Sequence, residues 1–283
     1  MREGVEGRAA GQGGLAGNTA GDSPGEPNAL AGARVPAPLR ERKRRSATAH
    51  WETYGLTRLV VALLFKVLVG PRVRGQRRVP RRGPLLVVAN HLSYLEPPLL
   101  AVALPRRMTY PALYELLELP WLGPFFRRLG ALPVRRGGLH DLRSLRTVLD
   151  VLAQGEAVAI FPEGTRSLAP GLLRADPGVS LLAVRSGAPI LPVAVTGTEE
   201  LTSIGRILSA RLRRTRVRVV VGEPFHLPAA PGKVDHRALA DRIMLEVAKL
   251  LPPAYRGVYA QGVAADEATT ADKACTQSAA DPH

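Results

Sequence analysis

Short apolar runs recur along the chain and break off abruptly in polar residues. Leu85-Leu86-Val87-Val88-Ala89 ends in Asn90-His91, Ala157-Val158-Ala159-Ile160-Phe161 ends in Pro162-Glu163-Gly164-Thr165-Arg166, and a third run covers 189–196. Runs this short, apolar on both faces and rich in β-branched residues, read as strands buried from both sides. Between them lie helical stretches. In 141–153, Leu142, Leu145, Val148, Leu149 and Leu152 form one stripe that Gly155 ends. Residues 97–104, 179–185 and 235–251 also read as helix, 131–134 as a short strand, and 216–221, alternating Arg and Val, as a strand with one wet face. Such alternation predicts a single α/β domain over 75–256, with a largely parallel central sheet flanked by helices.

In a sheet of that kind the ligand crevice lies beyond the carboxyl ends of the strands. Three such ends carry chemistry: Asn90-His91, Arg135-Arg136, and Glu163 to Arg166. Pro97-Pro98 suits the first turn of a helix, which puts His91 and Glu96 on either side of one strand-to-helix turn. A carboxylate there can orient and charge-stabilise the imidazole, giving part of a catalytic triad with no obvious protein nucleophile beside it. The competing reading is a capping box, with Ser93 as N-cap and Glu96 reaching back to it. Against that, Pro97 would fall where its missing N–H removes an intrahelical bond. Arg136 and Arg166 suit a phosphate clamp. Gly164 would let backbone approach a ligand closely. Glu163 is either an acceptor for a substrate hydroxyl or the ion-pair partner of Arg166.

The flanks differ in character. Residues 1–47 are rich in Gly, Ala, Pro and Arg without hydrophobic period and read as a disordered basic tail. Residues 48–74 follow as a membrane-associating segment: 54–70 is apolar nearly all round, but Arg58 and Lys66 leave an uncharged run too short to cross a bilayer. Arg72, Arg74, Arg77, Arg78, Arg81 and Arg82 crowd in behind it, as expected of a helix lying in an anionic membrane interface; the alternative is a core helix. The formal net charge is +15, and only five of the 39 basic residues are Lys, a bias that favours phosphate or anionic surfaces. Without a recognition motif or aromatic–basic interleaving, no nucleic-acid partner is expected. The one cysteine, Cys275, excludes an intramolecular disulfide and fits a reducing compartment. With no apolar core in the first forty residues, no signal peptide is expected. The expected location is the cytoplasmic face of the cell membrane, peripheral or monotopic. Residues 257–283 turn polar and Ala-rich and read as a flexible tail.

Taken together the motifs resemble the glycerolipid acyltransferases typified by 1-acyl-glycerol-3-phosphate acyltransferase. The family's N-H-x-S-x-x-D is matched by Asn90-His91-Leu92-Ser93-Tyr94-Leu95-Glu96, and its G-x-x-x-V-x-R by Gly130 to Arg136. F-P-E-G-T-R-S is reproduced letter for letter from Phe161 to Ser167, and P-I-x-P-V by Pro189 to Val193. The resemblance covers roughly 80–225. It implies a glycerol-phosphate acyltransferase-like fold and transfer of an acyl group from an acyl thioester, acyl-CoA or acyl-carrier protein, to the hydroxyl of a lysophospholipid. The thioester is then a co-substrate, with no bound cofactor and no metal. His91 would be the general base and Glu96 its orienting acid. Arg136, Glu163 and Arg166 would hold the acceptor's phosphate and glycerol, with Gly164 and Thr165 shaping the loop. Two positions depart from the pattern: Glu96 stands where the family has Asp, and Ala112-Leu113-Tyr114-Glu115-Leu116 lacks the Lys of A-K-x-E-L. The first leaves open a catalytically impaired, lipid-binding member.

Overall fold

The computed structural model describes residues 51–120, 122–134, 141–167, 171–201, 206, 217–227 and 234–279. The expected tail over 1–47 lies outside them.

Helix α1 (Trp51–Leu68) and a short strand β1 (Arg72–Arg74) precede β2 (Leu85–Ala89) and α2 (Glu96–Ala103). Then come β3 (Tyr110–Leu113), α3 (Tyr114–Leu117), α4 (Leu122–Arg128), β4 (Ala131–Val134), α5 (Leu142–Ala153) and β5 (Ala157–Ile160). The chain continues through α6 (Gly178–Ser186), β6 (Ile190–Thr196), β7 (Arg218–Val221), α7 (His236–Lys249) and α8 (Ala260–Ala279). Five strands form one sheet in the order β1-β7-β6-β2-β5. Strands β6, β2 and β5 are mutually parallel, while β7 is antiparallel to β6 and carries β1 parallel beside it. The second, two-stranded sheet of β3 and β4 is joined to β5 by a bridge between Thr109 and Val158. The α/β architecture with a mostly parallel sheet is therefore as the alternation predicts.

The central strands feed two apolar layers, because successive side chains point to opposite faces. Leu85, Val87 and Ala89 join one core with α1, α2 and β3; Leu86 and Val88 join the other with α5, α6 and α7. The predicted stripe on α5 is core: Leu145, Val148 and Leu152 are buried, and Asp141 caps the helix by accepting from the N–H groups of Arg143 and Ser144.

Helix α1 has two apolar faces. Tyr54, Val61 and Phe65 are buried on one. Arg58 lies on that side too, and its guanidinium donates to the carbonyls of Ala101 (2.9 Å), Val102 (3.3 Å) and Leu104 (3.1 Å). It thereby satisfies the orphan carbonyls at the end of α2. On the other face Leu56, Leu59, Val60, Leu63, Leu64 and Val67 are exposed. One side of α1 is thus core, and the other presents apolar side chains at the surface.

The C-terminal reading needs correction. Residues from 257 onward were expected to be loose, yet Tyr259 and Val263 are buried and α8 follows. The Tyr259 hydroxyl donates to Asp241 (2.9 Å) and accepts from the N–H of Ala175 (3.0 Å). Gly257 has φ +50, and a Cβ there would meet the Leu172 carbonyl oxygen at 2.2 Å, so only glycine lets this segment lie against residues 171–172. Polar composition concealed the packing because the segment docks through a narrow strip.

Candidate active site

The parallel register ends β2 and β5 within one residue of each other, with β6 running on to Thr196. Val88 pairs with both Ile160 and Pro192, and Ala89 with Val193, so the residues that follow β2, β5 and β6 leave the sheet at one rim. Asn90 extends the pairing with its side chain: its Nδ2 donates to the Val195 carbonyl (2.8 Å) and its Oδ1 accepts from the Val195 N–H (2.7 Å). This mimics one more ladder step and fixes where the turn to His91 begins.

His91 is then held from several sides. Its backbone N–H donates to Oε1 of Glu163 (2.8 Å), and its carbonyl accepts from the N–H of Ser167 (2.9 Å). Its ring stacks on Phe161 with centroids 4.5 Å apart. Nδ1 lies 2.6 Å from Oε2 of Glu96. With Nδ1 engaged by a carboxylate, the lone pair of the neutral ring falls on Nε2.

Glu96 is completely buried. It is the first residue of α2, with Pro97 next. Its Oε1 accepts from the N–H groups of Leu92 (2.9 Å) and Ser93 (2.8 Å) and from the hydroxyl of Thr198 (2.6 Å). Its Oε2 accepts from Leu92 N–H (2.9 Å) and faces the imidazole. One carboxylate therefore both reaches back to the Ser93 N–H and meets the His91 ring. Ser93 is not the helix cap that the capping-box reading required: Leu95 occupies that position, and Pro97 falls in the first turn. The Ser93 hydroxyl accepts from Leu95 N–H (3.3 Å), a turn role.

Glu163 is engaged by two backbone N–H groups. Its Oε1 accepts the His91 N–H and its Oε2 that of Leu173 (2.9 Å). Burial pushes its carboxyl above the ordinary carboxylate range, against the lowering effect of those two N–H donors and of His91. Arg166 instead lies over the Tyr94 ring, 3.8 Å from its centroid, a cation–π contact. Gly164 has φ +67, and a Cβ there would meet nothing within 4 Å; the loop needs its backbone conformation rather than its small size. Gly164 and Thr165 are exposed at the rim. Arg136 lies outside the described residues.

A cavity of about 820 Å³ opens beside this constellation. The expected site residues His91, Glu163, Gly164, Thr165 and Arg166 all line it. The rest of its lining is largely apolar, including Tyr110, Ala112, Leu113, Leu116, Phe126, Val134, Val148 and Ile160. Burial raises the Tyr110 phenol above its usual value, which keeps it neutral. Leu113, standing where the resembling pattern has Lys, makes this part of the wall apolar. Such a largely apolar space, with His91, Ser144, Glu163, Arg166 and Asp176 among its lining, suits an aliphatic chain joined to a polar group. Among the residues that sequence did not single out, Thr198 contacts the buried acid and Tyr94 carries Arg166. The only trace of Thr198 in sequence is a hydroxyl-bearing strand end, Thr196-Gly197-Thr198.

Comparisons with known proteins agree with this geometry. The family model described as Acyltransferase matches residues 70–196. The 1-acyl-sn-glycerol-3-phosphate acyltransferase of Bacillus subtilis (strain 168) is 29% identical over 158 residues, 56% of this chain and 74% of that protein. The lyso-ornithine lipid O-acyltransferase of Pseudomonas aeruginosa is 31% identical over 211 residues, 69% of this chain and 74% of that protein. The crystal structure of the 1-acyl-sn-glycerophosphate acyltransferase PlsC from Thermotoga maritima superposes with a TM-score of 0.53 at 25% identity, covering 72% of this chain and 80% of that one. With its motifs, its sheet and these likenesses in agreement, the chain belongs to the acyltransferase family that includes the 1-acyl-sn-glycerol-3-phosphate acyltransferases.

Proposed function

We propose that this protein moves a fatty acyl group from an acyl thioester to the free hydroxyl of 1-acyl-glycerol-3-phosphate or a related lysophospholipid, with His91 as general base. The observation that carries the reading is the 2.6 Å contact between His91 Nδ1 and Glu96 beside a largely apolar cavity that His91 lines. As the acceptor hydroxyl oxygen attacks the thioester carbonyl carbon, its proton passes to Nε2. Glu96 stabilises the imidazolium that results. The C–S bond breaks, the thiolate recovers the proton from Nε2, and ester and free thiol leave. The substrate hydroxyl is the nucleophile, so no covalent enzyme intermediate forms. A positioned base contributes on the order of 10²–10⁴ in rate.

The acceptor's phosphate is assigned to Arg166, released from Tyr94 to a bidentate contact, with Arg136 as its companion. Glu163 acts on the site by holding the backbone of His91, while Gly164 and Thr165 shape the rim where the headgroup sits. The donor is acyl-CoA or acyl-carrier protein.

The same reading places the protein on an anionic membrane surface. Among the described residues, no helix is long and apolar enough to cross a membrane. Six large apolar side chains of α1 are nevertheless exposed, and Arg72, Arg74, Arg77, Arg81 and Arg82 are exposed just beyond it. Helix α1 packs on α2 and α4, and α4 supplies Phe126 to the cavity wall. The lipid-seeking face is therefore built on the elements that shape the substrate space. The cytoplasmic leaflet, with its anionic lipids, is the surface this charge fits.

The test is a product assay with purified protein and anionic vesicles, a panel of lysolipids and both donors. The expected result is thioester-dependent formation of diacyl product with stoichiometric thiol release, lost in His91→Ala. Full turnover by His91→Ala would overturn the mechanism; absence of product with every pair would overturn the activity.

A further inference from the structure

The geometry points to Thr198 as a positioning residue for the acyl transfer, acting through Glu96; this rests on the reading of His91 as the base. Thr198 lies just past the stretch 70–196 that the family model matches, and no motif includes it. Its side chain is fully buried, and its hydroxyl donates to Glu96 Oε1 at 2.6 Å. That length falls in the range of roughly 2.5–2.7 Å typical of a hydroxyl bound to an ionised carboxylate.

The position of this donor is what distinguishes it. The other groups that hold the Glu96 carboxylate are Leu92 N–H, Ser93 N–H and the His91 ring, all in the turn that leads into Glu96. A carboxylate held by them alone could move with that turn. Thr198 reaches it from the far end of β6, 102 residues away in sequence. Its own backbone is fixed by the bond from Leu201 N–H to its carbonyl (3.0 Å). The Asn90–Val195 pair locks the exit of β2 to β6 one step earlier. Acid and imidazole are therefore referenced to the sheet through Thr198, and the ring is held at a fixed height above the rim where the reacting hydroxyl must arrive. An imidazole misplaced by a fraction of an ångström loses alignment with that hydroxyl, which lowers the rate without weakening substrate binding.

A purely structural hydroxyl would behave differently. Its loss would lower stability by an amount indifferent to residue 96, and any surviving folded protein would turn over normally.

The experiment compares wild type, Thr198→Val, Thr198→Ser, Glu96→Ala and the Glu96→Ala/Thr198→Val double variant. Initial rates of thiol release are measured on full-length protein in anionic vesicles, and single turnovers with enzyme in excess resolve the slow variants. Thr198→Val is expected to lower kcat about ten- to a hundredfold, the scale of a hydrogen bond to a charged group, with KM for donor and acceptor changed less than about twofold. Thr198→Ser, which keeps the hydroxyl, restores the rate to within about threefold. In the Glu96→Ala background Thr198→Val produces no further loss. Wild-type kcat in Thr198→Val, or an equal loss with and without Glu96, overturns the inference. Should Thr198→Val fail to fold, Thr198→Ala takes its place, and a Ser variant as slow as Ala overturns the inference as well. His91→Ala is run alongside. If it is inactive while Thr198→Val is fully active, only the role of Thr198 falls; if it keeps its turnover, the base assignment falls and this inference with it.

Discussion

The backbone N–H of His91 donates to the buried carboxylate of Glu163 at 2.8 Å. The Phe161–Ser167 motif therefore fixes the histidine's main chain, while Glu96 fixes its ring. Both backbone groups of His91 are held by that loop, since Ser167 N–H bonds the His91 carbonyl. The other Glu163 oxygen takes Leu173 N–H, which ties the histidine to the segment lying against Tyr255 and Val258. The position of His91 is thus set by the loop after β5 and, through Leu173, by a C-terminal strap.

Replacing Glu163 separates this backbone role from substrate binding. Glu163→Gln keeps two polar atoms but offers one amide N–H₂ to donors that need an acceptor, leaving a buried N–H unpaired at a cost of roughly 1–3 kcal/mol. The expected outcome is a fall of at least tenfold in kcat, with KM for the acceptor changed less than about threefold. A large rise in acceptor KM at unchanged kcat, measured in the vesicle assay, would return Glu163 to the headgroup.

The same carboxylate leaves a signature in stability against pH. Burial is the main cause of its raised pKa in the folded protein. The native state therefore binds this proton more readily than the unfolded chain. The group's contribution to stability is fully present below the unfolded carboxylate pKa, about 4.3, and is lost as pH rises through the higher folded value. Glu163→Gln does not titrate, so comparing its Tm with that of wild type isolates the effect. As pH falls from neutral toward the ordinary carboxylate range, wild type should gain Tm relative to the variant. A difference that stays flat, or changes in the opposite direction, contradicts the burial argument.

Glu96 is longer than the Asp of the resembling pattern, and every part of its reach is used: Oε1 meets Thr198 and Oε2 meets His91. A shorter acid on the same backbone must give up one of these contacts or bend the turn. Glu96→Asp should therefore lower kcat by on the order of tenfold or more, even though it matches the family motif; loss of the orienting acid altogether can cost about 10⁴. Steady-state kinetics of Glu96→Asp at wild-type rate would mean that the turn absorbs the difference.

Much of this was legible in the sequence, and the rest was hidden for identifiable reasons. Fully apolar strand runs such as Ala157–Ile160 leave little choice of environment, and Asp141 with Gly155 brackets α5 by local rules. His91, Glu96 and Glu163 were visible because unusual residues interrupt those runs at one kind of place. The backbone contacts of Glu163 were not visible, because a carboxylate bonded to backbone N–H groups leaves no pattern in side-chain identity. Thr198 meets Glu96 only through the β2–β6 pairing, and Arg58 looks like a surface charge until α2 ends beneath it. Residues 257–263 read as tail because Tyr259, Gly257 and Val263 are too few to make a period.

That strap can be tested directly. The Tyr259 hydroxyl donates to Asp241 and accepts from Ala175 N–H, and burial first, with the Asp241 contact, pushes its pKa up to about 12. Tyr259→Phe keeps the ring and removes both bonds. It should cost about 1–2 kcal/mol, lowering Tm by roughly 2–8 °C for a domain of this size. Thermal unfolding followed by circular dichroism checks it, and an unchanged Tm would mean that α8 and its approach contribute little.

Helix α1 gives the test of membrane docking. Leu59 and Leu63 lie one turn apart and are among its most exposed side chains. Burying a leucine fully is worth about 1.5–3 kcal/mol, and partial insertion into an interface about half that. Leu59→Glu/Leu63→Glu removes this gain and sets two negative charges against anionic lipid. Flotation with phosphatidylglycerol-containing vesicles should show a fall in affinity of at least about thirtyfold. Thermal stability should stay near wild type, because the face that packs on α2, with Tyr54, Val61, Phe65 and Arg58, is untouched. Raising the salt should weaken wild-type binding as well, since each exposed arginine beyond α1 contributes roughly 1 kcal/mol at an anionic surface. A double variant that floats like wild type would show that the exposed leucines face something other than lipid. The proposed docking of α1 on an anionic membrane would then lose its support.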